Sequence, residues 1–491
     1  MSPGGIAVLI VMALGSAYMV AKDLFIVPLG LAAALIGITI VYFCFFKPLI
    51  GFYLVTFIAF FMFYPSHLIG IELSVNPGLE VLVLFLFSGT LFRAKARREK
   101  RGALMKTLVS IMLIVYFAYF VIQAFNPNVP NIGGWQVPFR RLIICIMIYY
   151  ISYTLLDTPD KLRFFFKFWI IFSFAAGAYG CYQQWFGYLP MEMRYIRAIP
   201  GAYDLLYQGG NLRKFSFLAD VVTFGILSGS MAIFTLLMGL NEQKKRKRYV
   251  LFFMSLIMLL GMAYSGTRTT NILLPAAIAL YGIINIQNKV TLIAVFVAIL
   301  TAMFILFAPI HDNATINRIR TTFDSKDASL NVRDQNRHYI QPYIYSHPIG
   351  GGLSTVGEPG KMLYPGHPLA GFPADSYLLR AALEIGWIGL AISLLFNLCF
   401  LYQGIYYFFR MQNTEYKKYM VVILATLFPV IVTQYSQETI GQLPGAIFFF
   451  SCLSLTTRIK EFDDQDRRLK SSPEALETEP DDGNTTAKKE L

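Results

Sequence analysis

Arginine residues stand in several short polar segments of this otherwise apolar chain. The segment 264–270 reads Tyr-Ser-Gly-Thr-Arg-Thr-Thr and carries Arg268. Further along, Arg333 and Arg337 are four residues apart, so they share one face if their segment is helical, and His338 follows directly. A guanidinium group binds phosphate or carboxylate through two parallel hydrogen bonds. These segments therefore predict recognition of an anionic group, although an arginine at the end of a membrane helix can also simply snorkel to the interface.

A run of three glycines follows the second arginine segment. Gly350, Gly351 and Gly352 come directly after the sequence His347-Pro348-Ile. Consecutive backbone N–H groups in such a run can bind a phosphate. The same run can equally be a flexible turn, and the residue types alone do not decide between the two.

Two aspartates precede apolar runs. Asp375 begins the sequence Asp-Ser-Tyr-Leu, and Asp220 lies shortly after Arg213 in the chain. An aspartate at this position is usually a helix N-cap, favoured by the helix dipole. A carboxylate at a membrane surface can also act as a general base, so both readings of Asp375 stay open.

The elements that position these residues are membrane helices. The chain has 491 residues, of which 56% are hydrophobic and 14% are charged, compared with roughly 25% charged residues in a soluble domain. Apolar runs of about 20 residues, enough to cross a bilayer, recur along the chain. We expect an all-α, polytopic transmembrane helix bundle in residues 1–458, with about 12 to 14 spans. The candidates are 5–21, 25–46, 48–65, 78–93, 107–125, 139–157, 164–187, 215–240, 249–265, 269–286, 290–309, 384–409, 419–436 and 443–458.

Lysine and arginine clusters predict the orientation of the bundle. Three loops are dense in these residues: 93–106, 244–248 and the loop with Lys417 and Lys418. The positive-inside rule assigns all three to the cytoplasm, and the span count then places both termini there. The net charge of +13 is explained in this way and does not indicate nucleic acid binding. The polar tail 459–491 is expected to be disordered and cytoplasmic.

Eleven arginines map to the opposite side, where the same rule predicts few. The longest loop of the protein, 310–383, also lies on that side, and loops of this length are usually functional. A scatter of ordinary surface arginines is the alternative to a binding site. The residues are Arg140, Arg141, Arg194, Arg197, Arg213, Arg268, Arg318, Arg320, Arg333, Arg337 and Arg380.

In order and spacing, these motifs resemble the O-antigen ligase and Wzy-type polysaccharide polymerase superfamily. The resemblance rests on Ser265-Gly-Thr-Arg268, on Arg333 followed by the His-Pro-Ile-Gly-Gly-Gly segment, and on Asp-Ser-Tyr-Leu before Glu384-Ile-Gly-Trp-Ile-Gly389. It covers residues 210–400, and the first half of the chain matches only as a stack of spans. It implies a GT-C-like, metal-independent glycosyltransferase of the bacterial inner membrane with no cofactor. Such an enzyme takes glycan from an undecaprenyl-pyrophosphate carrier at the periplasmic face.

The resemblance also implies roles for individual residues. Arg213, Arg268 and Arg333 would bind the pyrophosphate, with Arg337 in reserve, because preorganised cations stabilise the charge that develops on the leaving group. Ligases of this family carry histidine where this chain has Asp375, and this departure favours a polymerase with an acceptor glycan over a ligase that uses lipid A core or a protein. Three histidines are close enough in sequence to substitute as the base: His338, His347 and His367.

A non-enzymatic transporter or flippase of lipid-linked sugars is the remaining alternative. A flippase should line a cavity within the spans with its cations. Here lysine and arginine cluster at the ends of the predicted spans, which favours surface chemistry.

Overall fold

The computed structural model describes residues 26–70, 75–96, 102–208, 210–287, 328–374 and 376–471, together with scattered positions between 289 and 303. These residues are almost entirely helical. One hairpin of two short strands, β1 (Tyr207–Gln208) and β2 (Asn211–Leu212), pairs antiparallel. The helices are α1 (Ile26–Phe46), α2 (Pro48–Phe61), α3 (Tyr64–Ile69), α4 (Asn76–Ala96), α5 (Gly102–Met105), α6 (Leu108–Ile122), α7 (Gln136–Leu155), α8 (Pro159–Phe186), α9 (Pro190–Ala198), α10 (Ala202–Leu206), α11 (Val221–Leu240), α12 (Lys245–Tyr264), α13 (Leu273–Ile284), α14 (Ala328–Ser346), α15 (Gly357–Leu363), α16 (Tyr377–Glu384), α17 (Gly386–Arg410), α18 (Thr414–Thr433) and α19 (Gly445–Lys470).

The helix lengths confirm an all-α polytopic membrane protein. Nine helices within the described ranges are long and apolar enough to cross a membrane, and the stretches Ala33–Phe46 and Arg268–Ile284 are shorter apolar helices. The predicted span 5–21 lies outside the described residues, as does most of 290–309. Helix α19 continues through Lys470, beyond position 459 where the sequence analysis starts a disordered tail. The cause is a specific contact, because the Asp463 carboxylate accepts hydrogen bonds from the backbone N–H groups of Gln412 and Asn413.

The chain forms two compact units. The first comprises Met1–Met62 and Leu73–Glu99, and its described helices are α1, α2 and α4. Glycine lets these helices pack closely: a Cβ added at Gly51 or Gly89 would lie within 2.5 Å or 2.3 Å of the α1 backbone. Small residues at contact points are the usual means of close packing between helices in a membrane.

The second unit comprises Phe63–Glu72 and Lys100–Leu491, and it contains all the predicted site residues. Helix α11 is its centre, with most side chains buried against α8, α12 and α18. Aromatic residues pack around it, and the ring of Phe234 contacts those of both Phe166 and Phe448. The apolar all-round character of α11 is therefore explained by burial in protein rather than by contact with lipid.

The two ends of the second unit differ in chemistry. Two of the basic loops meet at one end, where Lys418 Nζ donates to the carbonyl oxygen of Asn241, 3.4 Å away. Helix α12 starts at this end with Lys245 and finishes at Tyr264, one turn before Arg268. Two of the basic loops and the segment around Arg268 therefore lie at opposite ends of helix α12.

Candidate functional site

Arg213 lies against the turn that carries Arg268. Its Nε donates to the carbonyl oxygen of Ser265 at 3.0 Å, and its Nη2 donates to Thr267 Oγ1 at 2.9 Å. The backbone N–H of the next residue, Lys214, donates to the carbonyl oxygen of Tyr264. Two segments that the sequence analysis picked out separately are thus one structural feature, which we call the arginine turn (residues 213–214 and 264–268).

The residue types of the arginine turn follow from its tight geometry. Gly266 has a φ of +60°, which favours glycine. Thr267 Oγ1 also donates to the carbonyl oxygen of Val221 at 3.1 Å, which ties the turn to the start of α11. A Cβ added at Gly225 would lie 2.4 Å from Ser265 Oγ, so only glycine in α11 leaves room for the turn. Arg268 is half-buried at the start of the short 3-10 helix Arg268–Ile272.

A buried polar network holds the backbone around Arg213. Glu192 is fully buried and accepts hydrogen bonds from Tyr179 Oη and Gln183 Nε2. Gln183 in turn pairs in both directions with the backbone of Ser216, which has a positive φ of 57°. The network therefore fixes an uncommon backbone conformation three residues after Arg213.

Lys214 is a buried cation next to Arg213. It is 6% exposed, and its Nζ lies 4.7 Å from the centroid of the Tyr188 ring. Burial lowers the pKa of Lys214, and the nearby Glu192 carboxylate opposes this shift. The Tyr188 hydroxyl donates to the carbonyl oxygen of Arg213 at 2.5 Å, so the same ring supports both residues.

Helix α14 carries the second group of predicted residues. Position 333 lies one turn before Arg337 in this helix, and His338 is exposed on it. Arg337 Nη1 donates to the hydroxyl of Tyr435 at 2.6 Å, and its Cζ lies 4.5 Å from the centre of that ring. The segment is helical, which is the condition under which positions 333 and 337 share one face, and Arg337 pairs with Tyr435, a residue that the sequence motifs do not include.

The glycine run packs against the junction of α16 and α17. The N–H groups of Gly350, Gly351 and Gly352 donate to the carbonyl oxygens of His347, Leu383 and Glu384. A Cβ at Gly350 would lie 2.5 Å from the Glu384 carbonyl oxygen, which explains why glycine is needed there. The three backbone N–H groups that could bind a phosphate all donate hydrogen bonds within the protein. We therefore assign the glycine run a role in packing.

The loop between α6 and α7 forms hydrogen bonds with this glycine run and the residue before it. The amide nitrogens of Gln123 and Asn126 donate to the carbonyl oxygen of Ile349, and Asn128 Nδ2 donates to that of Gly350 at 2.7 Å. The sequence marks this loop by its composition, with one glutamine and three asparagines before two glycines. The loop lies in the first half of the chain, where the family resemblance extends only to a stack of spans.

Two of the histidines lie near the glycine run. The His347 ring stacks on Tyr343 with centroids 4.0 Å apart, and His367 meets the same tyrosine edge-on at 6.5 Å. Burial lowers the pKa of His367 and the nearby His347 adds to that shift, while a hydrogen bond to the Asn128 backbone opposes it. His347 Nδ1 lies within hydrogen-bond distance of the Tyr343 carbonyl oxygen. Both rings are thus engaged in packing with their neighbours.

The start of α16 bears on the role of Asp375. Asp375 itself lies outside the described residues. The N-cap of α16 is Ser376, whose Oγ accepts from the backbone N–H of Leu379 at 3.3 Å. By contrast, Asp220 is the N-cap of α11 and accepts from the N–H groups of Val222 and Thr223, as its position predicts. The capping role that the sequence analysis considered for Asp375 is therefore taken by the next residue.

Glu384 is a buried carboxyl at the end of α16. It is 8% exposed, and burial raises its pKa to about 7. The charge of Arg380 and hydrogen bonds from the backbone of Ser354 and Val356 oppose that rise. Glu384 therefore joins the loop after the glycine run to the helix that follows Asp375.

A segment between the last two helices, residues 434–442, contacts the residue after Arg268, Arg337 of α14 and Arg380 of α16. Ser436 Oγ donates to Thr269 Oγ1 at 3.0 Å, next to Arg268. Glu438 accepts from Arg380 and from Arg141, and Tyr435 accepts from Arg337. We name this the 434–442 segment. The sequence motifs do not include this segment. Glu438, a glutamate between two predicted spans on the arginine-rich side, is the residue that could have indicated it.

A small cavity lies beneath the 434–442 segment. It is lined by residues of α11, α18 and α19, with Thr223 and Gln442 among its polar groups, and it has a volume of about 30 Å³. That volume accommodates about two water molecules. Across the described ranges, no group of three or more His, Cys, Asp or Glu side chains has the arrangement of a metal site.

Comparison with known proteins bears on this site directly. No curated protein matches the chain. Residues 253–394 match the protein family described as O-antigen ligase (Wzy_C), and the match contains Arg268, α14, the glycine run and α16 but neither Arg213 nor the 434–442 segment. Over residues 253–394 the chain is therefore similar to the O-antigen ligase family, in agreement with the resemblance that its motifs indicate.

Proposed function

We propose that this protein is an inner-membrane glycosyltransferase that polymerises undecaprenyl-pyrophosphate-linked oligosaccharide at the periplasmic face of the membrane. The observation that carries the proposal is the arginine turn. Two arginines from distant parts of the chain lie there at the end of the bundle opposite the basic loops. The basic loops would face the cytoplasm by the positive-inside rule, which puts both termini inside and the arginine turn in the periplasm.

The proposed reaction is an inverting transfer. A hydroxyl oxygen of the acceptor glycan attacks C1 of the donor glycan, and the bond between C1 and the pyrophosphate oxygen breaks. Undecaprenyl pyrophosphate leaves with the electron pair, and Arg268, Arg213, Arg333 and Arg337 stabilise its charge. The proton of the attacking hydroxyl goes to a base, for which we propose Asp375 because Ser376 already caps the helix.

The ligase is the second candidate, in which lipid A core or a protein would accept the glycan. The family description favours it, since the matched family is described as O-antigen ligase. The aspartate at position 375 favours the polymerase. The lipid-linked glycan that accumulates in a deletion strain separates the two: single repeats on the carrier indicate a polymerase, and long chains stranded on the carrier indicate a ligase.

Replacement of Arg268 tests the proposal. We expect Arg268→Ala and Arg333→Ala to abolish glycan transfer in a complemented deletion strain while the protein inserts at wild-type level. Arg197→Ala is the matched control, because Arg197 is an exposed arginine of α9 on the same side of the predicted topology. Normal glycan in both variants would show that the arginines are not part of a transfer site.

A further inference from the structure

The 434–442 segment is held in place from several sides. Its Gln434 carbonyl oxygen accepts from the backbone N–H of Leu378 at 3.4 Å, and Ser436 reaches the threonine after Arg268. At its other end, Gln442 Oε1 accepts from Thr223 Oγ1 at 2.5 Å. The backbone of the segment is therefore fixed relative to α16, the arginine turn and α11.

Tyr435 presents two groups to Arg337. The Tyr435 hydroxyl lies 2.6 Å from Arg337 Nη1, and the ring centre lies 4.5 Å from the guanidinium carbon. The tyrosine is 59% exposed, so the pair sits at the surface. A flexible arginine in such a place loses conformational freedom when it binds an anion, and a partner that restricts the guanidinium beforehand reduces that cost.

Glu438 lies between two further arginines. One carboxylate oxygen accepts from Arg380 Nη1 at 2.9 Å and the other from Arg141 Nη1 at 3.2 Å. Both oxygens are engaged, so Glu438 serves to hold guanidinium groups. The cluster keeps a net positive charge, because two cations share one anion.

We infer that the 434–442 segment is a positioning element of the transfer site, in which Tyr435 orients Arg337 and Glu438 orients Arg380 toward the pyrophosphate of the lipid carrier. The inference deepens the proposed function and rests on it. It makes Tyr435 and Glu438 positioning residues outside the matched stretch 253–394, and it adds Arg380 to the cations of the site.

The test measures binding of undecaprenyl pyrophosphate to the purified full-length chain in lipid nanodiscs. Tyr435→Phe keeps the ring and removes the hydroxyl, and we expect about threefold weaker binding. Tyr435→Ala removes both contacts, and we expect about tenfold weaker binding. Tyr339→Ala is the matched control, since Tyr339 is an 80% exposed tyrosine of the helix that carries Arg337.

Double variants separate positioning from general structural support. If Tyr435 acts through Arg337, Tyr435→Ala adds nothing to the loss caused by Arg337→Ala. The same holds for Glu438→Gln in an Arg380→Gln background. Losses that multiply in both double variants would overturn the inference, and Tyr435→Phe supplies the same comparison should Tyr435→Ala fail to fold.

The outcomes also distinguish this inference from the proposed function. A wild-type protein that does not bind the carrier, or an Arg268→Ala variant with intact binding and glycan transfer, would refute both. Loss of binding in Arg268→Ala together with multiplying losses in the double variants would refute the positioning role alone.

Discussion

Ser436 Oγ donates a hydrogen bond to Thr269 Oγ1 over 3.0 Å, which joins two segments 167 residues apart. Thr269 follows Arg268, and Ser436 follows the tyrosine that pairs with Arg337. This contact links the arginine turn to the arginine of α14, although the two lie in different parts of the chain. Arg213, Arg268 and Arg337 are therefore linked through their neighbouring residues, although they come from three segments of the chain.

Thr267 offers a test of the arginine turn that leaves every cation in place. Thr267→Val removes the oxygen that accepts from Arg213 Nη2 and donates to Val221. We expect glycan transfer to fall about tenfold, because Arg213 loses one of its fixed contacts. The measurement is the amount of polymer in a complemented deletion strain, normalised to protein in the membrane.

Thr235→Val is the matched control for this substitution. Thr235 is fully buried in α11, and its hydroxyl bonds only within its own helix. Equal losses of polymer in the two variants would mean that Thr267 contributes to folding and not to the placement of Arg213.

The two residues at the start of α16 should separate stability from activity. Ser376→Ala removes the N-cap, and we expect a loss of about 1 kcal/mol in the free energy of unfolding. Asp375→Asn should leave that free energy unchanged and abolish glycan transfer, because the amide cannot accept the proton of the acceptor hydroxyl. Thermal unfolding in detergent and the glycan profile of each variant check the two halves of this prediction. Full transfer activity in Asp375→Asn would exclude it as the base.

Gly386 is expected to be indispensable for folding. It has a φ of +70°, and an added Cβ would lie 2.0 Å from the carbonyl oxygen of Pro348. We expect Gly386→Ala to lower the free energy of unfolding by more than about 2 kcal/mol, since backbone on both sides must move. Gly366→Ala is the control, because no atom lies within 4 Å of its added Cβ. A stable, active Gly386→Ala protein would show that the glycine run is not packed against this junction.

The sequence predicts the bundle well because its signal is local. Apolar runs such as the one in α11 have the length that a bilayer or a helical core requires, whichever of the two surrounds them. Capping is local too, so Asp220 is correctly expected to start a helix. The extension of α19 depends on the hydrogen bonds that Asp463 accepts from the backbone just before α18, and no local pattern in the polar tail predicts this contact.

The site is predicted in its parts and not in its assembly. Arg213 and Arg268 are both recognisable as candidates, but the contact of Arg213 with the turn that carries Arg268 depends on how α11 and α12 pack. For the glycine run, the residue types alone do not indicate how the segment packs. Its residue types fit a phosphate-binding loop, and only tertiary packing reveals that the amides of Gly351 and Gly352 donate to carbonyl oxygens of α16.

Glu384 should make the stability of the protein dependent on pH. Its pKa is about 7 in the folded protein, compared with an ordinary value of 4.5, because burial disfavours the charged form. Between these two values the folded protein binds a proton that the unfolded chain does not, so the free energy of unfolding falls as the pH rises. The contribution is fully present below pH 4.5 and is lost above about pH 7. Over the whole window it amounts to about 3 kcal/mol, at about 1.4 kcal/mol per pKa unit.

The unfolding midpoint of the purified protein, measured from pH 5 to pH 8, checks this dependence. Glu384→Gln carries no titrating proton at this position, so its midpoint should lack the decline that Glu384 causes in the wild type. Arg380→Gln should shift the decline to higher pH, because the charge of Arg380 holds the pKa of Glu384 down. Glu358→Gln should keep the wild-type decline, since that side chain is 70% exposed and pairs with its neighbour Lys361. A decline of wild-type size in Glu384→Gln would assign the titration to another group.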